Sequence, residues 1–291
     1  LTLPADAYVE YAYFENPSED KRLVDPLNPR KTTNGYGKYN HYFYMPERHP
    51  NSLTLRRKGT PKGSLVHASL PTQGLISGSE RKVHLYRPAA PGPYPLVLVW
   101  DGQDFLRRGR LPVILDNLIN QGEIPPLALA LVESRGAVRM LEYASSDFSL
   151  AYTLEGVLPF ARQHLDLLDL QKHPGAYGVL GASMGGLMAL YTGLRLPGIF
   201  GKVLSLSGAF SFPELEMVVF DLARLIDPDA LRIWMNVGVY DILGLPNSNR
   251  QMAALLEERG FDFHFKEYLG GHNYTAWRDE LGAGLIYLFG Q

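Results

Sequence analysis

Apolar residues follow two rhythms along the chain, and the change between them falls near residue 64. Beyond that point, short and continuously apolar runs alternate with longer stretches in which apolar residues return every three or four positions. "YPLVLVW" (94–100) and "LALALVES" (127–134) are runs of the first kind, as expected of strands covered on both faces. "RKVHLYRP" (81–88) alternates apolar and polar, the pattern of a half-exposed strand, and "SLVHASLPT" (64–72) precedes it as another strand. "LPVILDNLINQG" (111–122) has helical spacing and a glycine stop, and 149–168 reads as a helix interrupted near Pro159. The alternation continues with strand 176–181, helix 184–196, strand 202–207 and helix 213–226. Strand 231–237, helix 249–259, strand 261–269 and helix 274–288 complete it. Strands alternating with helices through short connections predict a doubly wound, mostly parallel sheet, an α/β fold over residues 64–291.

Residues 1–50 have another texture. They are crowded with Tyr, Asn, Pro and Gly, show no helical periodicity, and carry strand-like pieces at Tyr8–Phe14 and Tyr39–Met45. This segment reads as a β-rich N-terminal extension, and 51–63, polar with Pro and Gly, reads as a linker. Its basic cluster "LRRKGTPKG" is the solvated face of that linker. Composition narrows the classes of function. With 46% hydrophobic residues in 291, the chain can bury a sizeable core. Its 28 Lys+Arg against 30 Asp+Glu, without a long basic run, give no footprint for a nucleic-acid partner. The absence of cysteine excludes disulfides, a thiol nucleophile and thiolate-ligated zinc. The longest apolar runs fall short of the roughly 18 residues of a spanning helix, so no membrane partner is expected. No signal peptide is visible, which favours a cytoplasmic location.

One stretch departs from this economy of large apolar groups. In "YGVLGASMGGLMALYTG" (177–193), a lone hydroxyl stands among the smallest residues. Gly181-Ala182-Ser183-Met184-Gly185 fits G-x-S-x-G, with a strand before it and a helix after it, the setting of a nucleophile elbow. To lift a hydroxyl above the carboxyl end of a strand, the backbone must turn sharply. Residues two before and two after the turn then crowd together, which Gly181, Gly185 and Gly186 relieve. The same turn sets the N–H of Met184 at a helix start, where a developing oxyanion is favoured.

A serine hydroxyl needs a base, and the base needs a third group to hold its tautomer. In a doubly wound sheet both belong on loops after later strands, in the order Ser, acid, His. His41, His49, His67, His84, His164 and His173 precede the elbow, and His264 lies within the last strand. His272, in "YLGGHNYTAWRDEL", sits just past it. Asp241 follows the strand "RIWMNVG", about sixty residues after Ser183 and about thirty before His272. Asp227 and Asp229 precede that strand, Glu267 is inside the last strand, and Asp279 belongs to the final helix. For the second oxyanion donor, "LVLVWDGQDF" offers the N–H of Gln103, with that of Asp104 equally well placed by sequence.

These ordered motifs resemble the enterochelin-esterase branch of the putative esterase family of α/β-hydrolases. "YPLVLVWDGQDFLRRGRLPVILDNLINQGEIPP", "VRMLEY", "GASMGGLMAL", "VGVYD" and "GGHNYTAWRDEL" carry the resemblance, which spans about residues 60–291 and extends to esterase D, feruloyl esterases and mycolyltransferases. It implies an α/β-hydrolase fold and a serine hydrolase with Ser183, Asp241 and His272 as its triad, needing neither metal nor cofactor. The N-terminal segment is similar to the closing strands of the immunoglobulin-like domain found before such catalytic domains, although only its last part fits before Ser64. Where the family often shows Trp, this chain has Tyr274. Siderophore esterases of this branch use cationic pockets, for which Arg107, Arg108, Arg110, Arg135 and Arg139 are available here. Arg139 and Tyr274 are the candidate substrate contacts; Arg139 and Glu142, at i and i+3, could equally pair with each other. Trp277 and Arg278 read as anchors of the last helix.

The expected activity is hydrolysis of a small-molecule or glycan-linked carboxylic ester through an acyl-serine. Two alternatives stand beside it: transfer of the same acyl group to an alcohol, and a non-catalytic glycan-binding protein that uses the Tyr-rich segment.

Overall fold

Eight strands form the central sheet of the computed structural model, which describes residues 2–16, 18, 21–33, 38–212 and 215–290. They are β1 (Ser64–Pro71), β2 (Glu80–Arg87), β3 (Leu96–Trp100), β4 (Ala128–Val132), β5 (Gly178–Ala182), β6 (Lys202–Leu206), β7 (Arg232–Tyr240) and β8 (Asp262–Gly271). Across the sheet they run β1-β2-β4-β3-β5-β6-β7-β8. β1 pairs antiparallel with β2 and β2 with β4, while every later pairing is parallel. β3, β4 and β5 are buried at every residue, which is why their runs are continuously apolar.

The helices are α1 (Gly102–Arg107), α2 (Leu111–Gln121), α3 (Arg139–Tyr143), α4 (Asp147–Tyr152), α5 (Leu158–His164), α6 (Met184–Arg195), α7 (Val219–Leu225), α8 (Leu245–Arg259) and α9 (Tyr274–Phe289). Alternation along each strand divides the core into two layers. Leu96, Leu98 and Trp100 of β3 share one layer with Leu187 and Leu190 of α6, whereas Val97 and Val99 share the other with Leu115 of α2 and Leu285 of α9. Helices therefore cover both faces.

Several boundaries differ from the pattern-based expectation, each for a local reason. The interruption near Pro159 is a five-residue π-turn, Thr153–Val157, that ends where α5 begins with Pro159 in its first turn. α8 starts at Leu245, earlier than its periodicity suggests, because Pro246 also sits in a first turn. The expected helix 213–226 is shorter. A small hairpin pairs Ser211–Phe212 with Leu215–Glu216 before α7, and positions 213 and 214 lie outside the described residues. β7 runs on to Tyr240, and its register against β8 shifts between Gly238 and Tyr240. That irregularity re-aims the ends of both strands.

In the N-terminal segment, Tyr39–Tyr44 lies between Tyr8–Tyr11 and Lys31–Thr33 in a three-stranded antiparallel sheet; 34–37, inside the expected β-rich stretch, are outside the described residues. Tyr8 is buried in the same core layer as α2 and α9. The first part of the expected linker is packed as well. Ser52–Thr54 form a 3-10 turn, Asn117 donates from Nδ2 to the carbonyls of Leu53 and Leu55 (2.7 and 2.9 Å), and Asn51 donates to the carbonyl of Asp279 (2.8 Å). From Leu55 to Lys62 the segment is exposed at every position but Thr60, as a linker should be. Among the described residues, no helix is long and apolar enough to cross a membrane.

Candidate active site

Ser183 joins β5 to α6 with φ 59° and ψ −123°, a conformation that costs a non-glycine residue about 1–3 kcal/mol. The turn is held by its neighbours: Ser183 N donates to the Leu206 carbonyl (2.8 Å), and the Ser183 carbonyl accepts from Leu187 N (3.0 Å) and Ala209 N (3.1 Å). A Cβ at position 181 would meet the Gly185 oxygen at 2.1 Å, and one at 186 would meet Ser205 Oγ at 2.9 Å. The small residues around the hydroxyl are thus a steric requirement of the turn.

The ends of β7 and β8 bring the acid and the imidazole together. His272 Nδ1 lies 2.6 Å from Asp241 Oδ1, and because a carboxylate only accepts, the ring proton sits on Nδ1 and leaves Nε2 as the basic nitrogen. The Asp241 side chain is wholly buried. Its Oδ1 also accepts from Ile242 N (2.7 Å), and its Oδ2 accepts from Ser207 Oγ (2.7 Å). Ser207, at φ 48° just past β6, accepts in turn from Trp277 Nε1 (2.9 Å). The Trp277 ring stands edge-on to the imidazole, 4.8 Å between centres. Trp277 therefore supports the acid–imidazole pair as well as anchoring α9. Asn273 caps that helix by accepting from Ala276 N at 2.8 Å, which fixes the backbone directly after His272.

On the opposite side, Asp101 (φ 57°) turns the chain from β3 into α1. Of the two N–H groups that sequence left open there, that of Asp104 donates to the Asp101 carbonyl at 2.9 Å. The N–H of Gln103, second in α1, has no acceptor within its own helix. Neither has that of Met184, first in α6. The Gln103 side chain ties α1 to the segment after β4: Oε1 accepts from Ser134 N (2.9 Å) and Nε2 donates to Ser134 Oγ (2.8 Å).

Arg139 does not pair with Glu142. Nε and Nη2 of Arg139 each donate to the fully buried carboxylate of Asp101 at 2.6 Å, and Nη2 also reaches the Ala182 carbonyl (3.3 Å). Glu142 instead holds Arg81 through two bonds of 2.8 Å, a buried pair that fastens α3 to β2. Ser183, His272, Gln103, Arg139, Tyr274 and Trp277 line one cavity of about 530 Å³, with Asp101, Asp104, Arg108 and Met140 also in its walls. Of the five arginines available by sequence, Arg108 and Arg139 line it. Burial first, then the charges of Asp101 and Asp104, pushes the Tyr274 phenol far above its ordinary range. Burial also raises the Asp104 carboxyl, against the pull of Arg108. Among the described residues, no group of three His, Cys, Asp or Glu side chains could hold a metal ion.

Ser207 is the member of this site with no sequence signal: a serine after a buried strand looks like any other. The Asp101–Arg139 pair was equally hidden, since the two residues lie on loops after different strands.

The strand order, the strained serine between strand and helix, and an acid–imidazole pair on the last two strand ends define an α/β-hydrolase. The chain belongs to the family described as "Putative esterase", whose pattern matches residues 75–288. It is 30% identical over 229 residues to the iron(III) enterobactin esterase of Dickeya dadantii, covering 72% of this chain and 52% of that protein. It is 26% identical over 279 residues to an iron(III) enterobactin esterase of Escherichia coli O6:H1, covering 92% and 67%. The chain thus spans about half to two-thirds of the length of these relatives. The crystal structure of the enterobactin esterase of Shigella flexneri in the presence of 2,3-dihydroxy-N-benzoyl-glycine superposes with a TM-score of 0.75 at 26% identity. That match covers 92% of this chain and 70% of the other.

Proposed function

We propose that this protein is a serine esterase that hydrolyses a carboxylic ester through an acyl-serine. His272 Nε2 takes the Ser183 proton as Oγ attacks the ester carbonyl, and Asp241 holds the imidazole and stabilises its charged form. The N–H groups of Gln103 and Met184 receive the tetrahedral oxyanion. His272 then protonates the departing alcohol, and water releases the acid by the same steps in reverse. The 2.6 Å bond between Asp241 and His272, with His272 and Ser183 lining the same cavity, carries this reading. Family membership and the relatives named as enterobactin esterases agree with it. Turnover of 4-nitrophenyl butyrate by wild type and Ser183→Ala tests it. The alanine variant is expected to lose about 10³-fold or more in kcat, and wild-type turnover by that variant would refute the assignment.

A further inference from the structure

Resting on the esterase reading, we propose that Arg139 is a positioning residue of the oxyanion hole: by holding the Asp101 carboxylate it keeps the Gln103 N–H free, and by its charge it cancels an anion beside the elbow.

Asp101 stands at the N-cap position of α1, where an aspartate ordinarily accepts from the second or third N–H of its helix. Here the third, that of Asp104, already donates to the Asp101 carbonyl, so the second, that of Gln103, is the one a capping carboxylate would take. Elsewhere in this chain aspartates make such a bond: Asp25, Asp169 and Asp227 accept from the N–H two residues on, at 2.8, 2.9 and 3.1 Å. The Asp101 side chain makes no capping bond. Its two oxygens accept instead from Nε and Nη2 of Arg139, each at 2.6 Å. Nη2 also reaches the carbonyl of Ala182, the residue before Ser183, at 3.3 Å, so the hold on Asp101 is anchored to the elbow itself. Charge matters as much as direction. Asp101 is fully buried, and a Cβ at Gly185, in the first turn of α6, would lie 3.0 Å from its Oδ2. A bare carboxylate there would oppose the oxyanion that the Met184 N–H receives. Without Arg139, a buried carboxylate short of donors would turn to the free N–H of Gln103.

The test measures kcat and KM for 4-nitrophenyl butyrate, which offers an arginine no anion to bind, in wild type, Ser183→Ala, Arg139→Gln, Asp101→Gly and the variant carrying both of the last two. Arg139→Gln is expected to lose about 100-fold or more in kcat, the effect of removing one oxyanion donor, while KM moves by less than about threefold. Asp101→Gly, which suits the φ of 57° there, is expected to lose about tenfold or less. The double variant is expected to turn over at least about tenfold faster than Arg139→Gln alone, because no carboxylate is left to fill the hole or oppose the oxyanion. A double variant as slow as Arg139→Gln overturns the proposal, and so does an Arg139→Gln that keeps the wild-type kcat, with or without a raised KM. If Arg139→Gln does not fold, Arg139→Lys takes its place; adding Asp101→Gly to it is expected to lower kcat no further, and a further loss overturns the proposal. If turnover depends on Ser183 in those cases, the esterase reading survives and only this inference falls. If wild type turns over no ester, or Ser183→Ala retains the activity, the esterase reading itself fails and this proposal falls with it.

Discussion

Ser207 shows how much of this site depends on side chains that would touch no substrate. Its hydroxyl donates to Asp241 and accepts from Trp277, so one small residue joins the acid, the indole and, through both, the imidazole. Ser207→Ala would leave a buried carboxylate short of one donor and take from a buried indole N–H the hydroxyl it donates to. The expected loss of stability is about 1.5–3 kcal/mol, read from urea unfolding. Because Asp241 would hold His272 less firmly, kcat is expected to fall about tenfold while KM for 4-nitrophenyl butyrate moves by less than about twofold. An unchanged kcat in a folded variant would mean that the acid is positioned without Ser207. At this scale the sequence is legible where chemistry constrains order and composition. Ser183 stands out by its glycines, and His272 and Asp241 by lying just past late strands. The contact between Asp101 and Arg139 does not stand out, because it follows from β4 lying outside β3 in the sheet. Neighbouring strands leave no mark in sequence of which one crosses over.

Elements carry the elbow as a steric problem, and two glycines separate its parts. At Gly181 the backbone is in an ordinary strand and the obstacle is close approach, with the Gly185 oxygen 2.1 Å from any added Cβ. At Gly122, which ends α2, space is open and the obstacle is φ of 74°. Gly181→Ala is therefore expected to cost about 3 kcal/mol or more, since backbone must move on both sides of Ser183. Gly122→Ala is expected to cost about 1 kcal/mol, the conformational term alone. Denaturant midpoints of the two variants check this, and equal losses would contradict the steric account of the elbow. Alternation of buried strands and amphipathic helices made the order of elements readable. Their ends were less so, because prolines in the first turns of α5 and α8 look like breaks until the helix around them is seen. The lengthening of β7 and its register shift against β8 were also invisible, being set by pairing between strands.

Across the whole molecule, the sheet brings together groups from five separate connections. The strand ends after β3, β4, β5, β7 and β8 supply Gln103, Arg139, Ser183, Asp241 and His272. The N-terminal sheet joins this assembly through Tyr8 in the core and through the Thr33 carbonyl on Arg108, a contact that its tyrosine-rich composition did not announce. The proposed catalysis stands on Ser183 being a nucleophile activated by His272. Its most direct test is covalent labelling with a fluorophosphonate, followed by intact mass and peptide mapping, in wild type and His272→Ala. A single adduct on Ser183 is expected, forming at least about 100-fold more slowly in the variant. An adduct on another residue, or a labelling rate indifferent to His272, would contradict the central claim.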